Sequence, residues 1–517
     1  MRIWVPKGSM TIFMTLMLCV MISMISTGLW SVQTAAARTQ ILNGVDIGLY
    51  SLFAQYDRTL LSEYDIFALD ASGQDGKLDL ASVYDDFSAY MLPVFMQNSQ
   101  KLIVLEGGLG GYALLTDDGG DVFYHEAVRY MQETLWAQGI TALQNRLGGR
   151  QASLSEAEAA GERLEHGNTM GDYDNEMNSA AQRSQEAERQ RAAQSSSGDG
   201  SRFGGPGGQG GDGFAGSDGS GGTVPFEEAP AGASGPENPI PTIKRIQNMD
   251  LLMLVMPPTK SISSRDIRGK VLLSGRVRQQ GMGMIGWYQP DGNVLNDLLF
   301  HQYVMSKLPN FLRPASSGLV YQVEYLIGRK TSDRENLERV VKRLLLIREG
   351  ANAIYLAGDS EKMTQVKLLA SAIAGTFLVP PAAVVIEAAL VACWAFAESI
   401  LDVRELLSGG KIPLKKTPAD WQLSLENLPT LLDRLDTDRR SSPDGLSYQE
   451  YLEILLMGVD RREKLKGMMD MIELTLRDRP GWEEFRLDSC VVGAKASVDV
   501  LANGSKVFLV ERMFGYE

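Results

Sequence analysis

Cysteine and histidine are almost missing from this chain of 517 residues, which has three of each. Cys19 lies in an apolar N-terminal run, Cys393 in a second apolar run and Cys490 in a strand-like segment. Their placement gives neither a disulfide framework nor a metal-ligand spacing. Cys393 and Cys490 stay open to two readings, one bridge outside the cytoplasm or two buried free thiols. His125, His166 and His301 stand in unrelated contexts, so no triad or histidine metal cluster can be assembled. Positive charge is also in deficit: 50 Lys and Arg against 64 Asp and Glu leave a net charge of −14. A nucleic-acid partner is excluded on that ground, because releasing counterions from phosphates needs a basic face.

Fingerprints of catalysis are equally scarce. Gly107, Gly108, Gly110 and Gly111 have the composition of a phosphate cradle, but no Gly-Lys-Ser/Thr follows. They read as a hairpin turn between the strand-like runs LIVLE (102–106) and YALL (112–115). Asp70, Ser72 and Gln74 resemble the D-x-S-x-S metal-ion site of von Willebrand A domains, except that Gln74 replaces the last serine. As a calcium loop the stretch fails, since Asp75 stands where glycine is required. Glu398 and Asp402 fall one helical turn apart, close enough to share a proton or a metal; Arg404, Lys411, Lys415 and Lys416 nearby make ion pairing the expectation. Catalytic residues, metal ligands and cofactors are therefore all expected to be none, and a small-molecule ligand is unknown.

What the chain does have is apolar length at its start. Arg2 and Lys7 precede thirty residues, Gly8 to Ala37, without a charged side chain. Thr11, Ile12, Phe13, Leu16, Leu18, Val20, Ile22, Ile25, Leu29 and Trp30 make this a membrane anchor, with lipid as its first partner. A helix of about 20 residues spans the ~30 Å hydrocarbon layer with its backbone groups satisfied internally. The flanking charges favour a single pass with the N-terminus cytoplasmic and the C-terminal ectodomain extracytoplasmic. The rival reading is a cleaved signal peptide, with Ala35, Ala36 and Ala37 as the cleavage pattern. Beyond the run, Ile41, Val45, Leu49, Leu52, Tyr56 and Leu60 hold one helical face, predicting a stem that continues from Ser9 to Leu61.

Four parts follow in order. Residues 1–62 form the anchor and stem, and 63–150 a first globular α/β segment with a helix over 124–144. Residues 151–241 read as a disordered Gly-rich insert, since 198–222 holds thirteen glycines in twenty-five residues and little to bury. Residues 242–517 read as the main α+β ectodomain, with strands at 251–256 and 319–327. A helix opens there on the capping box Ser332 and Glu335, and further helices are expected over 362–375, 382–407, 419–435 and 447–477. The run 368–401 reads as a buried helical hairpin broken at Pro380 and Pro381. Asn503-Gly504 turns a closing β-hairpin. The fold class is thus α+β: a long N-terminal transmembrane and amphipathic stem helix, then a mixed, mainly helical ectodomain with a small sheet and a C-terminal β-hairpin.

Several segments carry a resemblance to a known family. They are GSMTIF (8–13), LYSLFAQYDRTLLSEYDIFALD (49–70), VEYLIGRKTSDRENL (323–337), RLLLIREGANAIYL (343–356), AESILDVRELLSGGKIPLKK (397–416), GLSYQEYLEILL (445–456) and FRLDSCVVG (485–493). Together they resemble an uncharacterised domain-of-unknown-function family encoded beside tight-adherence (Tad) pilus genes in clostridial-type bacteria. The resemblance implies a TadE/TadG-like, non-enzymatic accessory or structural component of a Tad-type pilus or related secretion apparatus, partnered by proteins of that machinery. The alternative is a membrane-anchored surface-binding module for a wall polymer or protein. Lys7, Gly8 and Ser9 form a prepilin-type processing junction, cut after the glycine. Pilins commonly carry a glutamate at the fifth residue after that cut, and here Phe13 stands there. Without that carboxylate the chain lacks the register lock of a major pilin, which points to a permanently anchored accessory.

Overall fold

The structure, a computed structural model, describes residues 8–73, 75–97, 101–135, 137–196, 237–284, 294–376, 382–437 and 440–516. The chain divides into two compact units, each assembled from separated stretches. Unit 1 comprises Met1–Leu147, Ile262–Leu337 and Leu452–Glu517; unit 2 comprises Gly148–Ser261 and Glu338–Tyr451. In chain order the elements begin with α1 (Gly8–Phe53), α2 (Arg58–Tyr64), β1 (Leu69–Asp70), α3 (Leu80–Met96), β2 (Leu102–Leu114) and α4 (Asp121–Thr134). Next come α5 (Ala137–His166), α6 (Thr169–Ser196), α7 (Ile240–Gln247), α8 (Leu251–Val255), α9 (Val294–Lys307) and α10 (Gln322–Gly328). The chain continues through α11 (Asp333–Gly358), α12 (Ser360–Thr376), α13 (Ala383–Ser408), β3 (Lys411–Ile412) and α14 (Leu431–Arg434). It closes with β4 (Leu446–Ser447), α15 (Tyr448–Met457), α16 (Arg461–Arg477), β5 (Cys490–Ala502) and β6 (Lys506–Gly515). This is the expected α+β class, mainly helical, with a long apolar first helix and a C-terminal hairpin.

Unit 1 is organised on β5. The strand pairs antiparallel with β2 along one edge and with β1 and then β6 along the other. Ala494, Ala496, Val498 and Val500 face inward from it. Against them lie Ile41, Val45, Leu49, Leu52 and Phe53 of α1, and Val83, Phe87, Met91 and Phe95 of α3. The 3.6-residue spacing read along the stem is therefore the buried stripe. Asn503 and Gly504 both take positive φ, 51° and 68°, as a type I′ hairpin requires. Gly44 and Gly48 let α3 press against α1, because a Cβ at Gly44 would collide with the Phe95 ring and one at Gly48 with Phe87.

Unit 2 is organised on α13, which packs on α12, α6, α7 and α8. Ile386, Leu390, Trp394, Ile400 and Leu407 are among its fully buried side chains. α12 and α13 form the expected hairpin, and the proline pair between them lies outside the described residues. Ser332 caps α11 as read, the Glu335 amide donating to its hydroxyl at 3.2 Å.

Several expectations need correction. Residues 102–114 are one continuous strand, β2, with its glycines in the middle. Gly107 leaves room for the Tyr84 hydroxyl, and Gly111 lets the Met282–Gly283 backbone approach, with Tyr112 and Met282 exchanging backbone hydrogen bonds of 2.7 and 2.9 Å. The 251–256 run is helical because Asp250 caps it through the Leu252 amide (3.0 Å). The 319–327 run turns helical at Gln322 as α10, buried nearly all round, and its Arg329 C-cap is left-handed at φ 52°. Short apolar runs do not reveal their period. The stem breaks once, at 54–57, where Asp57 accepts from Thr59 and Leu60 amides and starts α2. The 124–144 helix is split between α4 and α5, 447–477 is split by the Asp460 cap into α15 and α16, and 419–435 holds only a 3-10 turn and short α14.

The largest difference concerns the insert. Its first half, 151–196, is helical in α5 and α6 and buries Leu154, Ala157, Tyr173 and Ala180. The reason is a close helix crossing: a Cβ on Gly350 of α11 would strike the Ala157 carbonyl oxygen of α5, and one on Gly161 the Leu346 carbonyl oxygen. Small residues, not an apolar stripe, make that interface. The glycine-rich stretch 198–222 lies outside the described residues. Replacing Gly350 by Ala should lower the thermal midpoint by the equivalent of about 1–3 kcal/mol, although alanine is the better helix former. The same change at Gly375, which has open space around its Cβ, should be neutral or stabilising in a parallel melt. Equal effects at the two sites would contradict the crossing.

Candidate functional site

The stem is the first candidate. Every described side chain from Met10 to Gln33 is exposed, and burial begins at Ala37. Phe13, Leu16, Leu18, Val20, Ile22, Ile25, Leu29 and Trp30 stand outside any protein core, each more than half exposed. Thr11 lies on the same exposed stretch. By length and composition α1 can cross a membrane, and the 24 residues from Met10 rise about 36 Å. Its far end is fixed rather than hinged: the Tyr516 hydroxyl donates to the Phe53 carbonyl at 2.6 Å, and Arg512 pairs with Asp46 at 3.1 Å. At the other end of the hairpin, Lys506 Nζ sits 5.7 Å from the Trp30 ring centre. Of the processing junction, Lys7 lies outside the described residues, and Gly8 and Ser9 open α1.

The acidic pair is the second candidate. Glu398 and Asp402 lie on one face of α13, fully buried, and Lys416 reaches both, standing 2.7 Å from Asp402. Arg348 of α11 joins from the opposite side, its Nε 3.0 Å from Asp402 and its Nη1 3.1 Å from the Tyr451 hydroxyl. Asn352 donates to Asp402 at 3.1 Å, and the Gln422 and Leu423 amides donate to Glu398 at 2.9 Å. Two carboxylates and two cations thus cancel inside the core. Burial pushes both carboxyls up; for Asp402 the adjacent ammonium and guanidinium outweigh it and hold the group below the usual range, while Glu398, with Lys416 alone, stays raised. Of the cations expected near the pair, Lys416 takes the role, whereas Arg404 pairs with Asp436 at 2.9 Å. Arg348, Asn352 and Tyr451 were not legible as partners, since they come from separate helices.

Unit 1 has its own buried charges. Arg276 bridges Glu473 and Asp488 at 2.5 Å each, and Asp470 accepts from the Ser274 amide at 2.8 Å. Asp333 accepts from the Ser263 hydroxyl at 2.6 Å. These carboxylates pin the irregular stretch 262–284, which has few backbone partners of its own. His301 and Lys464 meet at 2.5 Å in the same unit; burial and then the ammonium lower the histidine to about 3, and burial lowers the lysine to about 8. Asp70 accepts from the Ser72 amide in a local turn, and Gln74 lies outside the described residues. The paired-thiol reading is not realised: Cys393 and Cys490 are free and buried. Among the described residues no three His, Cys, Asp or Glu gather as a metal group.

Fold and site together define a mainly helical α+β protein carrying an exposed apolar stem and neutralised buried charges. The chain belongs to the family of unknown function DUF5702, whose family model matches residues 230–502. No curated protein and no solved structure matches it. Within the matched region Arg348, Glu398, Asp402, Lys416 and Tyr451 make a single polar core.

Replacing Lys416 by Met should destabilise the protein by about 3–5 kcal/mol, because two buried carboxylates would face one cation. Adding Glu398→Gln to Lys416→Met should recover a large part of that loss. Denaturant melts of the two variants measure it; additive losses would contradict a charge-balanced core.

Proposed function

We propose that the chain is a membrane-anchored, non-enzymatic accessory or structural component of a Tad-type pilus or related secretion apparatus. Its N-terminus is cytoplasmic, the first half of α1 crosses the membrane, and the rest of unit 1 and all of unit 2 are extracytoplasmic. One observation carries the reading: α1 is a single helix whose first half is wholly exposed and apolar and whose second half is the core of unit 1. An apolar helix welded to a sheet transmits position from bilayer to ectodomain, as a pilin stem does. The buried acids Glu398, Asp402 and Glu473 are engaged in ion pairs, which favours a structural role for them. Phe13 in place of the buried glutamate of pilins favours an anchored accessory over a filament subunit.

Chemical crosslinking of whole cells, followed by capture of this chain, tests the assignment. Proteins of the pilus or its membrane machinery are expected in the captured material, and the captured chain should start at Met1 or, after pilin-type processing, at Ser9. Capture of wall polymer alone would favour a surface-binding module instead. An N-terminus at Arg38 would replace the anchor by a cleaved signal.

A further inference from the structure

Unit 2 contains a cavity of about 600 Å³, within the range of small-molecule sites. Its apolar wall includes Leu164, Met170, Leu251, Leu346 and Phe396. Acidic side chains dominate its polar lining, with Glu165, Glu338, Asp250 and Glu349 against the one ammonium of Lys342. Lys342 is taken up at 3.5 Å by Glu165. Glu349, on α11, is different: none of the described residues hydrogen-bonds to its carboxylate or forms an ion pair with it. The surrounding protein desolvates it, and Glu165, the charged neighbour that acts on it, repels it, so its carboxyl is pushed up to about 7. The side chain keeps partial accessibility, because what it faces is the cavity. Elsewhere in this unit, buried acids are matched by cations, as Lys416 and Arg348 show for Glu398 and Asp402. A desolvated carboxylate without a protein counterion, opening into an apolar hollow, has the chemistry of a site whose counterion is the ligand.

We propose that this cavity binds an organic cation, an ammonium carried on an apolar body, with the ammonium against Glu349 and the body against Phe396 and Leu346. The same chemistry is offered by a free amine and by a lysine side chain flanked by apolar residues. The site is independent of the membrane assignment above.

Full-length protein in lipid nanodiscs, titrated calorimetrically at pH 8 against 2-phenylethylammonium, 2-phenylethanol and 3-phenylpropionate with empty nanodiscs subtracted, tests this. Saturable binding of the ammonium is expected, with the alcohol at least roughly tenfold weaker and the carboxylate not bound. Glu349→Gln should weaken the ammonium at least tenfold while leaving the thermal midpoint unchanged or higher, since it removes an unpaired buried charge. A fourth titrant, acetyl-Leu-Lys-Leu-amide, separates the sources: binding tighter than the free amine assigns the site to a peptide lysine, and weaker binding to a small amine. Equal binding of alcohol and ammonium, an unaffected Glu349→Gln variant, or no saturable binding of any titrant would overturn the proposal.

Discussion

The seating of the second half of α1 on the sheet is the constraint from which the rest of unit 1 follows. Ile41, Val45, Leu49, Leu52 and Phe53 have at most 2% exposure. Each such side chain contributes roughly 1.5–3 kcal/mol of gross burial. Because the same helix carries the exposed apolar run, the core and the run cannot move independently without either breaking helical hydrogen bonds or emptying the core. The other devices serve that seat. Gly44 and Gly48 bring α3 in, Phe514 and Tyr516 close over Phe53 with ring centres 5.2 Å from it, and Arg512 holds Asp46. β5 sits in the middle of the sheet, so a strand from the end of the chain supports the helix from its beginning.

Unit 2 answers a different demand. α13 is as apolar as a membrane span by composition, and 72% of its apolar window is buried within the protein. Its second half nevertheless carries Glu398, Asp402 and Arg404 into the interior. Burying a charge costs several kcal/mol unless a partner and hydrogen bonds repay it, and each of the three has both. The partners are drawn from α11, from α8 and from the chain after β3, and Tyr451 of α15 holds Arg348 in turn. Neutrality thus ties distant stretches to one helix more specifically than apolar contact would. Glu349 breaks this rule, and for that reason it marks a site.

What the sequence made legible was whatever repeats or caps locally. The stem stripe, the Ser332 cap, the α12–α13 hairpin and the Asn503-Gly504 turn all appear where their residues placed them. The misread elements are those whose reason lies elsewhere in the chain. The glycines of β2 suggested a turn, yet Gly107 admits Tyr84 and Gly111 the 282–283 backbone. The helix α5 was misread because its closest approach to α11 runs through Ala157, Gly161 and Gly350, small residues that leave no apolar stripe in the sequence. The Glu398 and Asp402 pair was visible with its partner Lys416 among the nearby cations, but Arg348 was not, since it stands 54 positions from Asp402 in the chain, and neither was Tyr451, which holds Arg348.

The central claim is that one rigid helix runs from the apolar run into the core of unit 1. Cys19 is exposed while Cys393 and Cys490 are buried, so a spin label can be placed at Cys19 and a second at an introduced Ile47→Cys, also exposed. Pulsed dipolar spectroscopy of the labelled chain in nanodiscs should give a single narrow distance near the ~42 Å that 28 helical steps span. A broad or much shorter distribution would show a hinge between the two halves and would contradict the account.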